Sequence, residues 1–321
     1  KEVIGEAKPE DKVTMLMKMA MDTQTFSSAE IKEYTNLLAQ IISICGDTVN
    51  KEIKTNFEYT AENGVDDSNR DFWYEQDFKE LNKRAISQPL VKHIYTADPS
   101  AHVFNGKIYI YPSHDVDAGE AFDDLGSHFA MEDFHVISMD AVDSEAVDNG
   151  VALHVDDVPW AEKQMWAPDA NEKDGKFYLF FPAKDYAGIF KIGVAISDSP
   201  VGPFVAQPEA IKGSFSIDPA VFKDDDGSYY MYFGGIWGGQ LQRWREGKFN
   251  ADSPESPVAH LPANNEPALC PKVAKMTDDL LEFAHEAKDV LILDEYGNQL
   301  LNGDNDRRFF EAAWMHKYKN K

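Results

Sequence analysis

Two hydrophobic periods divide the chain near residue 87. Before it, Ile31, Tyr34, Leu37, Leu38, Ile41 and Ile42 recur at helical spacing, behind the N-cap candidates Ser27 and Ser28 and ahead of Gly46. That pattern predicts an amphipathic helix. Asp71 to Ala85, with Phe72, Phe78 and Leu81 on one side, predicts a second, and the Met-rich run from Val13 to Met21 a third. Its methionines read as flexible core filler. From Gln88 onward the period shortens to alternating runs broken by Gly, Asp, Asn and Pro, and five of the six tryptophans lie here. This texture predicts an all-β region. The expected organisation is therefore a helical N-terminal segment over 1–87, with no chemical role, and a β domain over 88–321.

A repeat fixes the architecture of the β region. Gly106 precedes Lys107-Ile108-Tyr109-Ile110-Tyr111, Gly175 precedes Lys176-Phe177-Tyr178-Leu179-Phe180, and Gly227 precedes Ser228-Tyr229-Tyr230-Met231-Tyr232. Each copy follows a polar turn, Asn105-Gly106, Asp174-Gly175 or Asp226-Gly227, so each predicts a tight hairpin between two strands. The copies lie 69 and 52 residues apart, which suits four-stranded blades with variable loops. A β-propeller is the expected fold. A fourth copy opens at Phe309-Phe310-Glu311 and reaches its turn at Asn320, so the count is three blades and the first strand of a fourth.

Counting back from each turn places the chemistry. Asp98 stands 8 before Gly106, Trp166 stands 9 before Gly175, Asp218 stands 9 before Gly227, and Glu311 stands 9 before Asn320. Equivalent positions in a propeller converge where the inner strands line the central channel. Three acids and a tryptophan are thus expected in one pocket. Asp98-Pro99 and Asp218-Pro219 taken singly would be ordinary strand-start dipeptides; their common register argues for function. Clustered acids without basic partners repel, so at least one should hold a proton near neutral pH. Glycosidic cleavage uses such a pair, one acid protonated and one ionised, with aromatic faces such as Trp166 and Trp237 holding the sugar ring.

Composition narrows the partners. The chain carries 31 Lys plus Arg against 56 Asp plus Glu, a formal charge of −25, which argues against nucleic acid. A hydrophobic share of 43% supports a folded core. No run approaches the roughly 18 to 20 apolar residues of a spanning helix, so no membrane partner is expected. The chain opens on Lys1 with no leader pattern, which leaves the compartment open, with a cytoplasmic setting preferred. Cys45 and Cys270 are too few for a disulfide framework and are read as free, buried thiols.

Four ordered segments then suggest a family. Tyr95-Thr96-Ala97-Asp98-Pro99-Ser100-Ala101-His102, Trp166-Ala167-Pro168-Asp169, Ser216-Ile217-Asp218-Pro219-Ala220-Val221-Phe222 and Phe309-Phe310-Glu311-Ala312-Ala313-Trp314 together resemble family 43 glycoside hydrolases. The resemblance implies a five-bladed β-propeller and an inverting mechanism. Asp98 would be the general base and Glu311 the general acid, with Asp218 raising the pKa of Glu311 and orienting it. Carboxylates of Asp98 and Glu311 would then stand about 6.5 to 9.5 Å apart, leaving room for water. Tyr109-Ile110-Tyr111-Pro112-Ser113-His114-Asp115 is similar to the β-xylosidase and α-L-arabinofuranosidase branch. The implied activity is exo-acting release of xylose or arabinofuranose from pentose-containing oligosaccharides. His114, together with Trp166, Trp237 and Arg308, is assigned to substrate contact. No cofactor is implied for the chemistry, although a structural calcium ion is compatible with the family.

Departures from the family pattern shape the alternatives. The family propeller continues for most of two more blades after the general acid, so another chain segment or subunit is expected to carry them. A non-catalytic carbohydrate-binding or structural propeller fragment is the competing reading. Six histidines between His93 and His154 invite a zinc reading, but no pair has H-x3-H spacing and no Cys accompanies them, so no metal site is assigned. Asp115 to Glu120 resembles a calcium loop whose closing position is Gly126 instead of Glu. Asp224-Asp225-Asp226 is read as a solvated turn, and Trp314 as packing between blades.

Overall fold

The computed structural model describes Lys83, 88–120 and 125–319. The chain divides after Gln88, and the second unit, Pro89–Lys321, holds all the described strands. The helices expected over 1–87 lie outside the described residues, as do Cys45 and the turn at Asn320. Cys270 is buried and unpaired. Among the described residues no helix is long and apolar enough to cross a membrane.

Thirteen strands among the described residues form three antiparallel sheets in chain order. The first comprises β1 (Tyr95–Phe104), β2 (Lys107–Asp115), β3 (Asp133–Met139) and β4 (Val147–His154), paired in sequence. The second comprises β5 (Ala161–Lys163), β6 (Asp169–Lys173), β7 (Lys176–Asp185), β8 (Phe190–Ser197) and β9 (Val205–Ala206), with β5 and β6 both paired to β7. The third comprises β10 (Ala220–Lys223), β11 (Tyr229–Phe233), β12 (Lys272–Lys275) and β13 (Lys288–Asp289). Phe309–Lys319 carries no strand, where the sequence predicted the opening strand of a fourth unit. No strand pairs with it among the described residues, so no ladder forms there.

The hairpin turns follow from their residues. Asn105-Gly106 and Asp174-Gly175 have φ of 53°, 78°, 54° and 76°, so both central residues of each turn are left-handed, the backbone that matches strand twist. The third turn is one residue longer. Asp224 pairs with Ser228 across it, and Gly227, at φ 84°, supplies the left-handed residue that closes the loop.

Strand period assembles the core. In β7, Phe177, Leu179 and Phe181 pack with Tyr111 and Phe134 of the first sheet. The intervening Tyr178 and Phe180 pack with Met231 and Phe233 of the third. One strand therefore serves two cores, because alternate side chains leave opposite faces. Its eight consecutive buried residues, Phe177 to Lys184, mark it as the most enclosed strand described.

Each sheet is interrupted where its notable residue stands. In β1 the register with β2 breaks between Ala97 and Ser100, expelling Asp98-Pro99, with Asp98 at φ 45°. In the second sheet the edge facing β7 is split into β5 and β6, and Trp166 sits in the gap. In the third, Asp218 (φ 56°) and Pro219 stop the chain just before β10. Proline lacks the N–H that a ladder needs, so Pro99, Pro168 and Pro219 fall at these breaks.

Candidate active site

The breaks open into one pocket of about 700 Å³. Asp98, Trp166, Asp218, Trp237 and Glu311 line it, so residues read from register alone do converge. His114 and Arg308 are not in its lining. His114 turns to the opposite face of β2 and bonds Asp133 through Nδ1 at 2.7 Å. Its neighbour Asp115 lines the pocket, as strand alternation requires once Asp98 and Asp115 meet at the same end of the sheet. Arg308 bonds Asn305 Oδ1 and the carbonyl of Phe309.

Two backbone contacts hold the Glu311 segment. Ile236 N donates to the Phe310 carbonyl at 2.9 Å, and Ala312 N donates to Asp218 Oδ2 at 3.0 Å. Asp218 therefore orients the Glu311 segment through the peptide that follows it. The loop bearing Trp237 is drawn close by Ser216, whose fully buried Oγ donates toward the carbonyls of Gly239 and Gly235 and accepts from Gly235 N. A Cβ on Gly235 would stand 2.6 Å from Ile217, so only glycine lets this loop approach.

The aromatic walls are fixed in the same way. Trp166 Nε1 donates to the Phe129 carbonyl at 2.8 Å, and its ring meets Phe129 edge-on with centroids 6.0 Å apart. Gly126, at φ 90°, passes so near that a Cβ would lie 2.6 Å from the indole. Trp237 meets Phe310 edge-on at 5.0 Å and is 43% exposed. Trp314 also lines the pocket and is 71% exposed, which corrects its reading as packing between blades. Sequence reasoning also missed Asp115, Phe129 and Phe310. The first could have been found from the alternation along Tyr111, Ser113 and Asp115.

Among the described residues no Lys or Arg lines this pocket, and the electrostatics reflect it. Burial, then the charge of Glu311, pushes Asp218 up to about 8, against the smaller opposing pull of the Ala312 N–H. Burial and then Asp98 raise Glu311; burial and then Asp115 raise Asp98. The most strongly proton-retaining acid is thus Asp218, because it is the most deeply enclosed of the three. Asp218 and Glu311 form a coupled pair that is reluctant to carry two charges.

In the pocket wall, Asp169 is almost fully buried. Its Oδ1 bonds His102 Nε2 at 2.7 Å, and its Oδ2 accepts Val221 N at 2.6 Å. One carboxylate thereby ties β1, β6 and β10, one strand from each of the three sheets. The acid-rich turn is also tied down: Lys317 Nζ lies 2.7 Å from both Asp224 Oδ1 and Asp225 Oδ2, where sequence suggested only solvation.

Calcium takes six to eight oxygen donors. Among the described residues, the group of metal-type side chains close enough to share an ion is His114, Asp133 and His135, and two of those three donors are imidazoles. This set does not suit calcium. The loop from Asp115 is closed instead by Asp117 Oδ1 accepting Gly119 N.

Comparison with known proteins gives this geometry its context. The profile of glycosyl hydrolases family 43 matches residues 86–254. A xylosidase/arabinosidase of Humicola insolens is 58% identical over 236 residues, covering 73% of this chain and 72% of that protein. A family 43 β-xylosidase/α-arabinofuranosidase from a compost microbial metagenome, solved with xylotriose in a calcium-free form, is 61% identical with a TM-score of 0.70, covering 73% of this chain and 71% of the other. A family 43 enzyme from Xanthomonas citri, solved with xylose, is 52% identical with a TM-score of 0.67, covering 75% and 68%. With the profile spanning more than half of the chain and the relative from Humicola insolens matched over most of its length, the chain belongs to the glycosyl hydrolases of family 43.

Proposed function

We propose that the pocket releases terminal xylosyl or arabinofuranosyl units from xylan-derived oligosaccharides by a single inverting displacement. One observation carries this reading: Asp98, Asp218 and Glu311, from three separate segments, line one aromatic-walled pocket together with Asp115 and Asp169, and no described Lys or Arg lines it. The substrate class is supported by the relatives, a xylosidase/arabinosidase and two enzymes solved with xylotriose and xylose. The three sheets are read as successive blades of a five-bladed propeller.

In the proposed reaction, Asp98 is ionised and takes a proton from a water as its oxygen attacks the anomeric carbon. The bond to the leaving oxygen breaks while Glu311 donates a proton to it. The Asp218–Glu311 pair holds one proton near neutral pH, and Glu311, the more accessible member, is the one that delivers it. Asp218 acts through Glu311, by sharing the pair's proton with it and through the Ala312 N–H. Trp166 and Trp237 supply faces for the apolar side of the ring.

The test is hydrolysis of nitrophenyl xyloside and nitrophenyl arabinofuranoside, with the first-formed anomer read by NMR. Inverted product, lost in D98N and E311Q, is the expected result. Retained configuration overturns the single displacement. Sugar binding without turnover favours a non-catalytic carbohydrate-binding domain.

A further inference from the structure

We infer that the first sheet carries a transition-metal site of the zinc class, built from His114, Asp133 and His135 and separate from the sugar pocket. Strand register assembles it. Ser113 pairs with Phe134, which sets His114 of β2 opposite Asp133 of β3. His135 follows Asp133 by two and shares its face. Donor atoms of the three all lie within 4.8 Å of one another. The sequence offered no H-x3-H signal because that spacing belongs to helices; here one ligand comes from the neighbouring strand.

The distances suit a small cation. His114 Nδ1 is 2.7 Å from Asp133 Oδ1, and His135 Nε2 is 4.0 Å from the same oxygen. Two ligands bound tetrahedrally at about 2.0 to 2.1 Å lie about 3.3 Å apart, between these values. A support for the ligands is also present. Register shifts in the pairing of β3 with β4 bring Asp148 beside His135, where its carboxylate lies 2.9 and 3.0 Å from Nδ1. That bond occupies one ring nitrogen and leaves Nε2 facing Asp133, the arrangement in which a carboxylate orients a metal-binding histidine. The side chains of His114, Asp133 and His135 keep 19%, 13% and 11% exposure, so an ion can reach them while most competing water is excluded. Such an ion would cross-link β2 to β3 next to Asp115, at the rim of the pocket.

The experiment is zinc uptake by the full chain after chelator treatment and gel filtration, with metal content and titration calorimetry as readouts. One zinc per chain is expected, with a melting temperature that rises with zinc and not with calcium, and visible d–d absorption when cobalt(II) replaces zinc. H114Q and H135Q should lose the retained zinc, and D148N should bind it about 10- to 100-fold more weakly. Circular dichroism of each variant without metal separates a lost site from a lost fold. Wild-type chain that retains no zinc and gives no cobalt bands overturns the site, as does undiminished binding in folded H114Q and H135Q. Equal stabilisation by calcium overturns the donor argument, and unchanged affinity in D148N overturns the orienting role of Asp148.

Discussion

Replacing Asp218 by Asn should make the protein more stable as pH rises, at the expense of its chemistry. Asp218 keeps only 9% of its surface, and its pKa is pushed from 3.8 up to about 8. Asn preserves the shape and an oxygen that can accept from Ala312 N, but it does not ionise. The sign follows from proton counting. Below pH 3.8 the carboxyl is protonated in folded and unfolded chains alike, and its titration contributes nothing. Between 3.8 and about 8 the folded chain binds the extra proton, so stability falls as pH rises, by about 1.4 kcal/mol per pH step. Over the whole window the wild type loses roughly 6 kcal/mol at most, since Glu311 and Asp98 gain their own charges over part of the same range. At about 2 to 4 °C per kcal/mol for a domain of this size, the melting temperature of D218N minus that of wild type should widen by about 10 °C between about pH 4.5 and pH 8. Scanning calorimetry of both chains across this range reads it directly. A gap that stays flat, or closes with rising pH, would refute the enclosed and proton-retaining state assigned to Asp218.

In the same variant, the alkaline limb of the activity profile should move to lower pH, because Glu311 loses the neighbour that resists its ionisation; a limb unmoved in a pH–rate series counts against the coupling. D98N and E311Q should each lose about 100- to 10,000-fold in kcat while melting near wild type, as steady-state kinetics on nitrophenyl glycosides would show. G126A forces a Cβ into the space 2.6 Å from the Trp166 ring, and a displaced platform should raise KM about tenfold, equivalent to about 1.4 kcal/mol of lost ring contact. D169N turns one of two acceptor oxygens into a donor facing His102 or Val221 N–H, so chemical denaturation should show a loss of about 1 to 3 kcal/mol.

Register was the most readable property of this chain. The turns at Gly106, Gly175 and Gly227 each name their own strands, and an offset of 8 or 9 residues from a turn leads to Asp98, Trp166 and Asp218. That works because the ladder is a local object: the turn sets the pairing, and the pairing sets the height of every residue above it. Register with alternation also sets which face a residue takes, and His114 was assigned to the wrong one. His114 and Asp115 are adjacent, and only the second enters the pocket. Trp314 was ambiguous, since an aromatic three residues past an acid can pack inward or stand in solvent. Long-range ties were illegible for a different reason. Nothing in Asp169 alone indicates that it bonds His102, 67 positions earlier, or Val221, 52 positions later. The His114, Asp133 and Asp148 contacts depend in the same way on which strands become neighbours.

The pocket exists because the ladders are broken. Asp98 and Asp218 both precede proline and both adopt left-handed backbone, a state costing of order 1 kcal/mol or more for a residue with a Cβ. Each break re-aims a carboxylate away from the alternating, sheet-perpendicular direction that a continuous strand would impose. The intact ladder beyond each break offsets that cost. Past its break, β1 runs in unbroken register from Ser100 to Phe104, and β10 from Ala220 to Lys223. The second sheet breaks at the same height but supplies Trp166, so acids flank an aromatic face instead of forming a closed ring of carboxylates. A ring of acids would attract cations. Acids around a tryptophan instead suit a neutral ring with one apolar face and polar edges, and that asymmetry among three equivalent positions is what turns a repeated structural defect into a site for a sugar.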